Sequence, residues 1–175
     1  MRRTFLLLPL LLAACAGNPV IVQDPARDAG KLSLLAALTI PPGSATLRLQ
    51  YGHPVARNAV QEQDPFCVFE IETVSDSPQI VHPDTFRILR IGHSIDNIAS
   101  LPYAVPIRVG RGGNSMPSQI YYKTWFWLHS AQQPRVRLLT CMSNQYMPGV
   151  YPFMRHLTLP EMRTALGADF HLELR

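Results

Sequence analysis

No apolar run in this chain is long enough to cross a bilayer. The greasiest stretch, Phe5 to Leu12, falls well short of the roughly 20 residues that a spanning helix needs. Cysteine is scarce, three in 175 residues, and none lies in a CxxC pair or beside a histidine, so the usual spacing signals of a zinc knuckle or a redox pair are missing. Charge of one sign is nowhere concentrated. Lys and Arg exceed Asp and Glu by four and are scattered singly from Lys31 to Arg175, which gives no basic stripe and argues against a nucleic-acid partner. There is no GxSxG turn to carry a hydrolase nucleophile, and Gly92-His93-Ser94 lacks the flanking glycines. The glycine cluster Gly110-Arg111-Gly112-Gly113 lacks the GK[ST] end of a phosphate loop. Internal repeats and low-complexity tracts are absent.

What is present is most informative at the start. Arg2-Arg3, the apolar stretch Phe5 to Leu12 and the run Leu12-Ala13-Ala14-Cys15 follow the order of a secretory signal: a positive start, a short greasy core, then small residues before a cut. The last four residues resemble the lipobox of bacterial lipoprotein signal peptides. The resemblance covers residues 1–17 and implies that Cys15 becomes the mature first residue, with a diacylglycerol on its thiol and a third acyl chain on its amino group. Three chains exceed the two needed for stable membrane residence. Residue 16 is Ala rather than the Asp that retains similar lipoproteins at the inner membrane, so the resemblance implies the outer membrane, facing the periplasm. Removal of Arg2 and Arg3 reduces the charge excess to two.

With Cys15 assigned to lipid, Cys67 and Cys141 remain, and an oxidising compartment favours their pairing over a reactive thiol or a metal pair. Such a bond closes a loop of about 75 residues, worth roughly 4 kcal/mol as an upper figure in the chain-entropy account. The expected organisation is a signal peptide over 1–14, a lipidated cysteine and flexible tether over 15–31, and a single domain over 32–175.

From Leu32 onward the pattern is strand after strand, broken by Pro and Gly: Leu32 to Ile40, Ala45 to Tyr51, Phe66 to Val74, Thr85 to Gly92, Ile120 to His129 and Arg135 to Met142. Leu32 to Leu38 also fits a helical turn or two. Ser130 to Pro134 reads as the turn of a hairpin, and Ala104 to Ser118 as a long connection. One helix is expected from Thr158, where Thr158-Leu159-Pro160-Glu161 resembles a capping box, with Gly167 placed to stop it. Asp169 to Arg175 alternates as a returning strand. The fold class is therefore all-β or mainly β, an antiparallel sandwich or partly open barrel with one short C-terminal helix.

Candidate chemistry is thin. The run Tyr121 to Trp127 carries aromatics on both faces of one strand, which suits a central strand covered on both sides. Alternatively Tyr121, Trp125 and Trp127, on one face at period two, form an exposed platform for a sugar or a protein partner. His171 and Glu173 share a strand face but lack a third ligand, so no metal and no cofactor are expected. Glu70 and Glu72 sit at acid/base spacing, although same-face carboxylates usually mark a solvated side. No catalytic residue emerges. The reading is an envelope lipoprotein, held at the membrane, with a binding or scaffolding domain for an envelope protein or glycan; the alternative is an anchored hydrolase acting on cell-wall or glycan material.

Overall fold

The computed structural model describes residues 28–98, 119–146 and 155–175. Among the described residues ten strands and one helix run in the order β1 (Gly30–Leu34), β2 (Leu38–Ile40), β3 (Thr46–Gln50), β4 (His53–Val55), β5 (Phe66–Ile71), β6 (Gln79–Val81), β7 (Asp84–Ile98), β8 (Gln119–His129), β9 (Val136–Tyr146), α1 (Leu159–Leu166) and β10 (Phe170–Leu174), with a 3-10 turn at Arg57–Ala59. Eight strands form one sheet in the order β10-β1-β7-β8-β9-β5-β3-β4, and β2 pairs with β6 apart from it. The pairings are antiparallel, and the large sheet curls into a half-barrel, as the mainly-β reading expected.

Period-two alternation builds the core. Leu32 and Leu34, Phe86 and Ile88, Phe126 and Leu128, Phe69 and Ile71, and Phe170 and Leu172 are buried while their neighbours turn outward. The curl brings strands distant in the sheet together across its inner face: the Phe69 ring lies 6.2 Å from Phe86 and 6.0 Å from Phe170, in tilted and edge arrangements that suit ring quadrupoles. Cys67 and Cys141 are directly opposed on β5 and β9, with Cα atoms 4.1 Å apart, and form a disulfide on this face.

The helix lies against β3, β5 and β10 and buries Met162, Ala165 and Leu166. Its start follows the local chemistry of the sequence: the Glu161 carboxylate accepts from the Thr158 N–H at 2.7 Å and from the Thr158 hydroxyl at 2.8 Å, and Arg155 grips it with two nitrogens at 2.8 and 2.9 Å. These donors hold the Glu161 carboxyl down at about 2, with Arg155 the largest cause. At the other end Gly167 (φ 79°, ψ −167°) meets the β3–β4 turn, where Gly52 (φ 86°) donates to the Ala165 carbonyl. A Cβ on Gly167 would lie 2.3 Å from Gly52 Cα.

Several boundaries differ from the sequence reading. Leu32 to Ile40 is two strands in two sheets, interrupted at Leu35, rather than one strand or a helical turn. Gly30 and Lys31, placed in the tether, pair with both β10 and β7. The strand expected to stop at Gly92 continues to Ile98, and β4 and β6 were not foreseen. Cys15, the tether through residue 27 and the Ala104 to Ser118 connection lie outside the described residues.

The Gly52 and Gly167 contact generates a prediction. Gly167→Ala adds both a Gly-only backbone conformation and a steric overlap, and is expected to cost about 3 kcal/mol or more in a urea titration. A loss below about 1 kcal/mol would contradict this close approach.

Candidate functional site

Helix α1 fills part of the inner face, so the outer face of β7, β8, β9, β5 and β3 is where surface chemistry can be arranged. Strand register orders it in rows. One row runs Arg90, Trp127, Leu138, Glu70 and Thr46; the next runs Gly92, Trp125, Thr140, Val68 and Arg48; a third carries Lys123, Met142, Phe66 and Gln50.

A bulge decides what the first two rows contain. Phe86 and Ile88 face inward, and continued alternation would send Arg90 and Gly92 inward too. The register shift between Ile88 and Arg90 inserts Leu89 and reverses the parity. Ile91 then packs against the core, and Arg90 turns outward, its guanidinium 3.8 Å from the Trp127 ring centre. Gly92 lies beneath both indoles: an added Cβ would sit 3.1 to 3.3 Å from Trp127 and Trp125 ring carbons. The missing side chain lets the two rings settle onto the strand, edge to face with centres 5.7 Å apart. Both tryptophans are half-buried.

The three aromatics expected to share a face do share it, but they do not form one platform. Tyr121 is 5 % exposed and belongs to a small second cluster with Phe66 and Met142. The cover comes from the chain's own 56–65 segment. Gln50, fully buried, bonds the Gln61 carbonyl and N–H at 2.8 and 3.0 Å, the Asn144 N–H donates to the Glu62 carbonyl, and Val60 packs on the cluster. Lys123 sits at the border, 2.6 Å from Asp96; burial raises the pKa of that carboxyl, but the Lys123 ammonium beside it outweighs burial and holds it below its usual range. The patch left partly open is Trp125, Trp127 and Arg90. Arg90 was not singled out in the sequence because its side follows from the bulge.

The other sequence candidates separate. Glu70 is 4.0 Å from Arg137, and Glu72 lies past the end of β5 beyond a register shift, so period-two spacing no longer relates the two carboxylates. His171 Nε2 is 2.8 Å from Glu173, which also holds Lys31 at 3.0 Å; among the described residues no group of three His, Cys, Asp or Glu could hold a metal ion. Gly92-His93-Ser94 lies in mid-strand. His93 is exposed, its ring centre 4.5 Å from that of His156, and Tyr122 lies 5.5 Å from His156. No helix among the described residues is long and apolar enough to cross a membrane.

Burial, and after it the neighbouring His93, lowers the His156 pKa below its ordinary 6.5. The folded state therefore binds this proton less readily than the unfolded chain, so the contribution of His156 to stability is present above about pH 6.5 and is lost as pH falls through its lower folded value. In His93→Gln the imidazole proton resonances of His156 are expected to titrate at higher pH than in the parent; an unmoved midpoint would contradict the coupling of the two rings.

Compared with known proteins, the chain matches no family model, no curated protein and no solved structure.

Proposed function

We propose that this chain is a lipid-anchored protein of the cell envelope whose single β-rich domain binds a partner or glycan through the outer face of its sheet. The observation that carries the reading is the patch formed by Trp125, Trp127 and Arg90: two indoles and a guanidinium, half-buried and held in place by Gly92 and by one another. Tryptophan and arginine supply contact area and directed hydrogen bonds with little rotamer freedom left to lose, which is why such groups dominate recognition surfaces. Ring faces of this kind suit the apolar faces of sugars as well as protein side chains.

The Leu12-Ala13-Ala14-Cys15 run supports the anchor, and a Cys67–Cys141 disulfide is compatible with an oxidising compartment. About 15 residues separate Cys15 from β1 at Gly30, at most roughly 50 Å of chain, which keeps the domain close to one leaflet.

Three single substitutions test the two halves separately. Cys15→Ser is expected to move the protein from the membrane to the soluble fraction; identical fractionation would overturn the anchor. Trp125→Ala and Trp127→Ala, each made alone, are expected to abolish capture of envelope glycan or protein in a pull-down while the chain still melts cooperatively within a few degrees of the parent. A collapsed melting point would assign the rings to packing, and cleavage of muropeptide by the parent would favour the hydrolase.

A further inference from the structure

Most cations among the described residues have somewhere to put their charge. Lys31, Lys123 and Arg155 hold carboxylates at 2.6 to 3.0 Å, Arg163 donates twice to the Leu172 carbonyl, and Arg90 stacks on Trp127. Arg57, Arg135 and Arg175 are exposed and therefore solvated. Arg48 belongs to neither group. It stands half-buried in the middle of β3, and it makes no hydrogen bond or ion pair among the described residues.

A second cation lies close to it. Arg48 is opposite Val55 of β4 on one side and Val68 of β5 on the other. Ala56 continues the extended backbone (φ −67°, ψ 152°), so Arg57, two residues beyond Val55, comes to the same face on the diagonal from Arg48. Diagonal positions on neighbouring strands are about 7 Å apart, within reach of two arginine side chains. Burial first and Arg57 second lower the Arg48 pKa. Glu70, the carboxylate on the same face of β5, is directed at Arg137. A half-buried guanidinium pressed toward a second one, with no counter-charge of its own, is costly for the folded chain alone. The arrangement becomes favourable when an anion arrives from outside.

We propose that Arg48 and Arg57 form an anion subsite on the outer face that takes a phosphate group of the ligand. Two guanidinium forks match the charge and the several acceptor oxygens of a phosphate better than those of a single carboxylate. The inference rests on the outer face being the binding face and names part of the chemistry it recognises. Arg48 shares a row with Trp125, three strands away and thus about 14 Å across the sheet, so one ligand can meet both.

The test uses the full-length Cys15→Ser chain, so that the outcome does not depend on acylation. Inorganic phosphate is titrated while the side-chain Nε–Hε resonances of the arginines are followed by NMR; in a second arm, vesicles of phosphatidylglycerol or of phosphatidylcholine replace the phosphate. Saturable shifts at Arg48 and Arg57 but not at Arg135 or Arg175, weakened at least tenfold in Arg48→Gln, support a soluble phosphate ligand. Binding confined to phosphatidylglycerol vesicles and lost in Arg48→Gln supports a lipid headgroup. Arg48→Gln is also expected to melt no lower than the parent without phosphate, since it removes an uncompensated charge, and to gain nothing from added phosphate where the parent does. Equal, unsaturated shifts at every arginine, or equal behaviour of parent and variant in both arms, would overturn the subsite. A failure of the Trp variants to lose envelope capture would instead overturn the wider reading while leaving this measurement standing.

Discussion

The architecture depends on one close approach, that of the Gly167 backbone to Gly52. It brings the end of α1 against the β3–β4 turn, so that the helix reaches from β10, at one edge of the large sheet, to β3 and β5 near the other. With the helix seated there, Met162, Ala165 and Leu166 join the apolar side chains of the strands, and the inner face becomes a core. Beneath the helix these side chains are closely packed. The other side of the sheet carries the Trp125, Trp127 and Arg90 patch.

That other side is governed by defects in a regular ladder. Leu89 reverses the parity of β7 and sends Arg90 out to Trp127, and Gly92 makes the hollow into which two indoles settle. Farther along, the 56–65 segment closes over Phe66, Tyr121 and Met142 through its bonds to Gln50 and Asn144. The result is a face divided between a sealed end and an open one, with the unpaired Arg48 across the sheet from the tryptophans.

Much of this was legible in the sequence, for local reasons. The hairpin of β8 and β9, the Thr158 and Glu161 start of the helix, its Gly167 stop and the alternation of β10 are written within a few residues of one another. The grouping of Tyr121, Trp125 and Trp127 on one face followed from period two alone. What was not legible depends on distant partners. The strands β4 and β6 are three residues each, β4 contains Pro54, and they exist because β3 and β2 lie beside them. Gly92 resembled a strand end, yet the space it leaves is used by side chains about 30 residues later. The burial of Tyr121, the outward turn of Arg90 and the isolation of Arg48 are each set by what crosses a neighbouring strand, which periodicity does not encode.

The most direct measurement is site-specific photocrosslinking in the native envelope. A benzophenone amino acid is placed in turn at Leu138 and Val68 on the outer face and at the exposed Leu35, Val74 and Ile80 elsewhere, and adducts are resolved by mass. If the outer face does the binding, a discrete adduct forms at Leu138 and Val68 and not at the other three positions. Adducts confined to Leu35, Val74 or Ile80 would place recognition on another surface and contradict the account.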